Sequence, residues 1–344
     1  MAAAAAEVDH RETAPRKPRP LNSRRSTTDM TLQALSTRHP WPGLVATHRL
    51  GVAWTLTWLV LAIDAAWLLL GSWTVPVRGV ATILAAIAVF HAPLAFRRYR
   101  HDPLLRPTAK AAALLIVFMA AAGTLSYLVV ATNARLVDAS LAAWDRALGF
   151  DWPAFAAWLQ ARPGVEGPLH VAYASGMPQI VFVVLFLGLT ARAAQLDTFL
   201  RLFILATLAT VVLSGLFPAA GSWKHFGAGV PAADIALLSH FEPLRDGRLR
   251  DIPLREMQGL ISFPSLHTVL AVLLVHAMRG TILLPAFVVL DAAMIVSTPV
   301  DGGHYLVDVL AGALLAGALI ALEHRRASRM RETPLPMRLQ ASAR

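Results

Sequence analysis

Eight apolar stretches, separated by polar segments, dominate the hydrophobic pattern of the chain. A helix that crosses the hydrocarbon core of a membrane needs about 20 apolar residues, with a range of about 17 to 25. The stretches occupy roughly residues 50–71, 79–96, 110–131, 169–191, 199–217, 264–279, 281–298 and 304–322. The sixth is short, as expected for a helix that begins slightly inside the membrane. The pattern predicts an all-α fold, a polytopic membrane helical bundle with about eight transmembrane helices.

The composition agrees with a membrane protein. Of the 344 residues, 56% are hydrophobic and 15% are charged, whereas an average soluble domain has roughly 25% charged residues. The chain has no cysteine, which excludes disulfides, thiolate metal sites and cysteine nucleophiles.

The net charge of +10 could indicate a nucleic-acid partner, but the distribution of the basic residues favours a membrane topology. Lys and Arg are concentrated in the N-terminal tail, in a loop at 97–110 and in the C-terminal tail. Such an excess is typical of the cytoplasmic segments of membrane proteins. We therefore expect no nucleic-acid partner and place both termini in the cytoplasm.

The same pattern divides the chain into three parts. Residues 1–45 are predicted to be a disordered basic cytoplasmic tail, because an alanine run is followed by Pro, Arg, Ser and Thr without an apolar core. Residues 46–325 form the transmembrane domain, with its functional core at about 169–322. Residues 326–344 form a second basic cytoplasmic tail.

Two long segments then lie on the outer side of the membrane. The segment 132–168 has apolar residues at helical spacing between Leu141 and Trp152, with a glycine stop at Gly149, and predicts an interfacial amphipathic helix. The segment 218–263 is longer than a plain connection requires, so we expect it to cover a functional site.

Two polar islands interrupt the apolar pattern near its end. The first island, residues 262–267, contains His267, and the second island, residues 302–308, contains His304 and Asp308. Two predicted crossings separate the islands, so both open on the same face of the membrane. His304 and Asp308 are four residues apart, so on a helix the carboxylate can orient the imidazole.

This arrangement suits chemistry at a tetrahedral phosphorus. One histidine can attack as a nucleophile while a second histidine, on the other side, supplies a proton. The alternative is two buried histidines satisfied by their neighbours and an aspartate that caps a helix. A metal or haem site is a third possibility, but the sequence contains no carboxylate cluster and no nucleotide loop, so we expect no metal and no cofactor.

The islands resemble two motifs of the type 2 phosphatidic acid phosphatase superfamily. The second motif of that superfamily, Pro-Ser-x-His, fits residues 264–267, and the third, Ser-x(6)-His-x(3)-Asp, fits Ser297, His304 and Asp308. Leu266 and Thr298 stand where the phosphatases have Gly and Arg. These two departures, together with the stretches 217–223 and 145–152, resemble the inositol phosphorylceramide synthase (inositolphosphotransferase) branch more than the phosphatases.

The resemblance implies that His304 attacks phosphorus to give a phosphohistidine, that Asp308 aligns His304, and that His267 protonates the leaving group. It further implies an integral membrane lipid phosphotransferase that moves an inositol-phosphate-like headgroup between a lipid and an alcohol acceptor. The alternative reaction is hydrolysis of phosphatidic acid or a polyprenyl pyrophosphate. A third hypothesis is a non-enzymatic lipid-binding or transport protein.

The resemblance also implies a location and partners. The chain would lie in the inner (plasma) membrane of a bacterium with its active site on the periplasmic or extracytoplasmic face. Its partners would be a lipid phosphate or phospholipid substrate and the bilayer itself. The sequence predicts neither the identities of the donor and acceptor lipids nor an oligomeric state.

The first motif of the superfamily, Lys-x(6)-Arg-Pro, is absent, so other residues would have to bind the phosphate. The candidates share either a positive charge in the outer segment or a hydroxyl near the islands. They are Lys224, Arg250, Arg255, Ser262, Ser265, Ser297 and Tyr305. The free N–H groups of a helix that begins at Pro264 could contribute. Lys224 could instead be a lysine that snorkels to the headgroups beside Trp223.

Three other ionisable residues fall within predicted spans. Asp64 lies in the first span and Asp291 in the seventh, and each either has a function or pairs with a neighbour. His276 projects away from His267 on the same predicted helix, so we interpret it as structural.

Overall fold

The computed structural model describes residues 43–227 and 239–332. In these residues the secondary structure is helical, apart from one isolated bridge between Thr74 and Asp251. The contacts reported below lie within one compact unit, Val45–Arg344. The predicted N-terminal tail lies almost wholly outside the described residues. The predicted C-terminal tail is described as far as Glu332, where its residues continue the last helix.

We number the described α-helices in chain order. They are α1 (Gly43–Leu70), α2 (Val77–His91), α3 (Leu105–Val130), α4 (Asp138–Ala147), α5 (Trp152–Gln160), α6 (Pro163–Ala174), α7 (Gly176–Leu189), α8 (Ala193–Leu216), α9 (Ser222–Phe226), α10 (Phe241–Arg245), α11 (Leu266–Met278), α12 (Leu284–Asp301) and α13 (Leu306–Glu332). A short 3₁₀ helix, Ala92–Ala95, follows α2.

The predicted class, an all-α polytopic membrane bundle, is confirmed, and each predicted stretch coincides with a helix. Among the described helices, six are long and apolar enough to cross a membrane: α1, α2, α3, α8, α12 and α13. The pair α6 and α7 can form a seventh crossing, bent by 49°. The helix α11 has 13 residues, about 20 Å at 1.5 Å per residue. It is shorter than a core about 30 Å thick, as expected for a helix that begins inside the membrane. By length and composition, six or seven full-length spans are therefore found among the described residues, where about eight spans were predicted.

The bend between α6 and α7 has a cause in the sequence. Pro178 lies four residues after Ala174, the last residue of α6. A proline in a helix has no N–H to donate, and its ring clashes with the carbonyl group four residues earlier. The helical path therefore breaks at Ser175, where the sequence analysis predicted one continuous span.

The centre of the bundle is formed by α3, α7, α8 and α11. Their inward side chains form one apolar core whose largest members are fully or almost fully buried, including Leu114, Phe118, Leu187, Phe203 and Leu274. Large apolar side chains elsewhere are exposed, such as Leu70 at 88% and Ile282 at 91%. An apolar exterior of this kind is what a helical bundle presents to lipid.

The outer segment 132–168 contains two helices, α4 and α5, and the first residues of α6, instead of the single helix predicted. Leu141 and Ala142 of α4 are buried, whereas Trp144 and Leu148 are exposed. The chain turns at Gly149, which has a φ of 79°, so the predicted glycine stop is confirmed. The position of α4 at a membrane interface stays a prediction.

The predicted topology can be tested in a chain that has no cysteine. Glu256 and Ser328 are both exposed and lie in segments assigned to opposite sides of the membrane. We expect a cysteine at Glu256 to react with a membrane-impermeant maleimide in intact cells, and a cysteine at Ser328 to react only after permeabilisation. Both should react in detergent. The reverse pattern in intact cells would show that the topology is inverted.

Candidate active site

The two polar islands lie against each other in the structure. The backbone N–H of Ser265 donates to the carbonyl oxygen of Asp308 at 3.0 Å. The hydroxyl of Ser262 donates to the carboxylate of Asp308 at 2.7 Å. The starts of α11 and α13 are therefore held together by both the backbone and the side chain of Asp308.

The carboxylate of Asp308 also contacts the predicted nucleophile. Its Oδ2 atom lies 3.3 Å from Nδ1 of His304 and accepts the backbone N–H of Tyr305 at 3.0 Å. His304 and Asp308 are 3% and 0% exposed. An Nδ1–H directed at the carboxylate leaves Nε2 as the nitrogen with a free lone pair. A long contact of this kind commonly shortens when substrate binds.

The first island ends at the N-cap of α11. Ser265 has an extended backbone, with φ −66° and ψ 113°, and its hydroxyl accepts the N–H of Thr268 at 3.3 Å. The helix therefore begins at Leu266, not at Pro264 as predicted, because the capping residue and those before it lie outside the helix. His267 falls in the first turn. Its ring stacks on that of Tyr173 with centroids 4.1 Å apart.

The close approach of α13 to the first island depends on a glycine. A Cβ atom added at Gly312, one turn after Asp308, would lie 2.5 Å from the carbonyl oxygen of Ser265 and 3.2 Å from Cβ of Thr268. Any larger residue would push α13 away from α11 and lengthen the contacts of Asp308.

Asp138, at the start of α4, holds the outer segment against the second island. Its carboxylate accepts the backbone N–H groups of Ala220 at 3.0 Å and Gly221 at 2.9 Å. It also accepts the hydroxyl of Tyr305 at 2.9 Å. Burial, followed by the charge of Asp138, raises the pKa of Tyr305 above its ordinary value. The sequence analysis did not identify Asp138.

Asp145, seven residues further along α4, caps the helix that carries Asp308. Its two carboxylate oxygens accept the backbone N–H groups of Leu306 at 2.8 Å and Val307 at 2.9 Å. Burial raises the pKa of Asp145, and these two donors oppose that shift. Asp138 and Asp145 are seven residues apart and therefore lie on the same face of the amphipathic helix. This spacing is the signal in the sequence that could have indicated partners on the buried side.

The end of α12 is fixed by two tryptophans. The indole N–H of Trp152 donates to the carbonyl of Pro299 at 2.8 Å, and that of Trp223 donates to Val300 at 2.6 Å. The last carbonyl groups of a helix have no partner within the helix. These two donors satisfy two of them and hold the end of α12 where the second island begins.

Most hydroxyls predicted to bind substrate already have partners within the protein. Ser297 donates to the carbonyl of Met294 at 2.9 Å and is fully buried. Tyr305 is fully buried and donates to Asp138. Ser262 and Ser265 have the partners described above. All four hydroxyls therefore belong to the framework of the site. Direct contact of any of them with substrate stays a prediction.

Lys224 lies on α9, immediately after the stretch that contacts the second island. It forms an ion pair with Glu242, and its ammonium lies 5.2 Å from the centre of the Phe241 ring. Burial lowers the pKa of Lys224, and the nearby Arg245 lowers it further. The side chain is 38% exposed, so Lys224 is accessible, but its charge is shared with a carboxylate.

The two predicted arginines differ in their surroundings. The guanidinium of Arg250 lies 5.0 Å from the centre of the Trp73 ring, beside the start of α2. Arg255 is exposed to solvent. Their roles in phosphate binding stay predictions.

The remaining ionisable residues lie within the helices. Asp64 and Asp291 are buried, at 3% and 1% exposed, and their roles stay open. The ring of His276 packs at 5.5 Å against that of His324. In the part of the chain that the structure describes, no group of three His, Asp or Glu side chains is arranged to hold a metal ion.

Comparison with known protein families assigns the chain to a superfamily. A family model described as the PAP2 superfamily matches residues 139–322, more than half of the chain and a range that includes α4 and both islands. The chain belongs to the PAP2 superfamily. No curated protein and no solved structure matches it significantly. The predicted superfamily is therefore confirmed, and membership supports a lipid enzyme of the phosphatase or phosphotransferase type.

The cap that Asp145 provides can be tested separately from the chemistry. We expect Asp145→Ala to lower the melting temperature, since loss of a capping side chain costs about 0.5–2 kcal/mol, and also to lower kcat, because α13 carries Asp308. Asp151→Ala is the matched control. It removes the cap of α5, where Asp151 accepts the N–H of Ala154 at 3.0 Å. Equal losses of kcat in the two variants would contradict a role for Asp145 in the site.

Proposed function

We propose that this protein is an integral membrane lipid phosphotransferase that moves an inositol-phosphate-like headgroup from a phospholipid to an alcohol acceptor through a phosphohistidine. The observation that carries the proposal is the buried contact between Nδ1 of His304 and Oδ2 of Asp308. It leaves Nε2 of His304 as the nucleophile, with the partly exposed His267 of the first island as the acid.

In the first half-reaction, the lone pair on Nε2 of His304 attacks phosphorus. The bond from phosphorus to the glycerol oxygen of the donor breaks, and His267 gives its proton to the departing alkoxide. The positive charge that develops on His304 is stabilised by Asp308. The products are a phosphohistidine that retains the headgroup and a free diacylglycerol-like alcohol.

In the second half-reaction, neutral His267 accepts the proton of the acceptor hydroxyl. The acceptor oxygen attacks phosphorus, the bond from phosphorus to Nε2 breaks, and His304 is regenerated. A ceramide or diacylglycerol-like alcohol would give a new phospholipid, whereas water would give hydrolysis. The resemblance carried by Leu266 and Thr298 supports an alcohol acceptor. Thr298 cannot act as the arginine does, because it is neutral and donates to the carbonyl of Met294 at 2.7 Å.

Lys224 is the cation that we propose for the phosphate. It lies two residues after Ser222, whose N–H donates to the carbonyl of Gly303 at 2.8 Å, so this part of the backbone is held against the second island. An anionic headgroup would compete with Glu242 for its ammonium group. The charge would act mainly in the transition state, where negative charge on the phosphoryl oxygens increases.

The proposed location is the inner membrane of a bacterium, with the site on the periplasmic face. The concentration of arginine in the tails and in the loop 97–110 supports this orientation.

Purified protein incubated with a panel of labelled lipids should distinguish transfer from hydrolysis. We expect headgroup label from phosphatidylinositol to move to an added ceramide or diacylglycerol, and the His304→Ala variant to lose this transfer. Acid-labile label should appear on the parent protein and accumulate in His267→Ala. Release of label only into water would favour the phosphatase. More than a few per cent of parental activity in His304→Ala would exclude His304 as the nucleophile.

Asp308→Asn tests the partner of the nucleophile. An amide cannot stabilise the imidazolium as a carboxylate does, and it can favour the wrong tautomer, so we expect kcat to fall by about 10² to 10⁴. Circular dichroism should show a folded protein, because the amide oxygen can still accept from Ser262. An unchanged rate would leave Asp308 with only the role of a helix cap.

A further inference from the structure

The two histidines of the site are held in different ways. His304 has a carboxylate partner, whereas in the described residues His267 has no hydrogen-bond partner. The ring of His267 instead stacks on Tyr173, with an angle of 26° between the ring planes. Tyr173 lies near the end of α6, two residues before the break at Ser175.

The break between α6 and α7 gives His267 a contact on each side. After the break, Gly176 is packed so that a Cβ atom there would lie 3.5 Å from Cδ2 of His267. Tyr173 and Gly176, three residues apart, both face the same imidazole, as residues at this spacing on a helical path do.

The hydroxyl of Tyr173 lies near Gly302, which is also next to the ring of His304. A Cβ atom added at Gly302 would lie 2.8 Å from the hydroxyl oxygen of Tyr173 and 2.6 Å from Cδ2 of His304. The backbone of Gly302 has an ordinary φ of −100°, so what its position requires is space, not an unusual conformation. The ring of Tyr173 therefore stacks on His267, while its hydroxyl lies near Gly302, at the place where the second island begins.

We propose that Tyr173 is a positioning residue, whose ring holds the imidazole of His267 in the orientation from which it protonates the leaving alcohol. This inference rests on the proposed function. Stacking fixes the plane of a ring without using either of its nitrogens.

The test uses two substrates that differ only in the group that leaves. Dioctanoyl phosphatidic acid and 4-nitrophenyl phosphate are one such pair, and dioctanoyl phosphatidylinositol and 4-nitrophenyl phosphoinositol are used if the parent enzyme prefers a diester. An alkoxide must be protonated as it leaves, whereas nitrophenolate leaves without a proton. The first half-reaction is followed as the burst of alcohol or nitrophenolate released by the full-length protein in detergent.

We expect Tyr173→Leu to slow release of the lipid alcohol by about 10²-fold, the scale of a misplaced acid, and to change release of nitrophenolate little. Tyr173→Phe keeps the stacking ring and should recover most of the lost rate. Phe182→Leu is the matched control, since Phe182 stacks on Phe186 in α7 at 5.6 Å. It should leave both rates at the parental values.

Two results would overturn the inference: parental rates in Tyr173→Leu on the lipid, or an equal loss on both substrates. If Tyr173→Leu does not fold, Tyr173→Met replaces it, because methionine fills similar space without a flat face. His304→Ala and His267→Ala are measured in parallel. Activity in His304→Ala would contradict the proposed function. Suppose that His304→Ala is inactive, that His267→Ala is slow only on the lipid, and that Tyr173→Leu keeps the parental rates. The inference about Tyr173 alone would then be wrong.

Discussion

The buried carboxylate of Asp308 is the group on which the rest of the site depends. A polar group inside a membrane bundle must find its partners within the protein. Donors from both islands, Ser262 and His304 among them, converge on one oxygen of this carboxylate. The partners can be present together only when α11 and α13 begin side by side. Satisfying Oδ2 of this carboxylate and aligning the nucleophile therefore require the same arrangement of the two helices.

The helix ends around Asp308 follow the same physical rule. Three helices begin or end at the islands, and each leaves backbone groups that no residue of the same helix can satisfy. Asp145 supplies acceptors for the start of α13, Ser265 caps α11, and two indole groups supply donors to the end of α12. Helix α4 and its neighbours thus act as a polar frame around the second island, although they contribute no reacting group to the proposed mechanism.

The parts of the structure that could be predicted from the sequence are those set by local pattern. A span is defined by its own run of apolar residues, and the islands by the spacing of His267, His304 and Asp308. The contacts of Asp138 were not predictable in this way, because they join residues 82 to 167 positions apart in the chain. The ion pair of Lys224 with Glu242 and the stacking of Tyr173 on His267 likewise depend on how distant segments fold together.

The different surroundings of the two histidines fit the different tasks in the proposed mechanism. A nucleophile must present the same nitrogen in every cycle, and a hydrogen bond from Nδ1 to a carboxylate fixes that choice. The acid must give a proton in one half-reaction and accept one in the next. A permanent hydrogen-bond partner would compete with the substrate for the nitrogen that carries this proton. An aromatic face restrains the imidazole of His267 without that competition, and this is why a stacked ring suits the acid and a carboxylate suits the nucleophile.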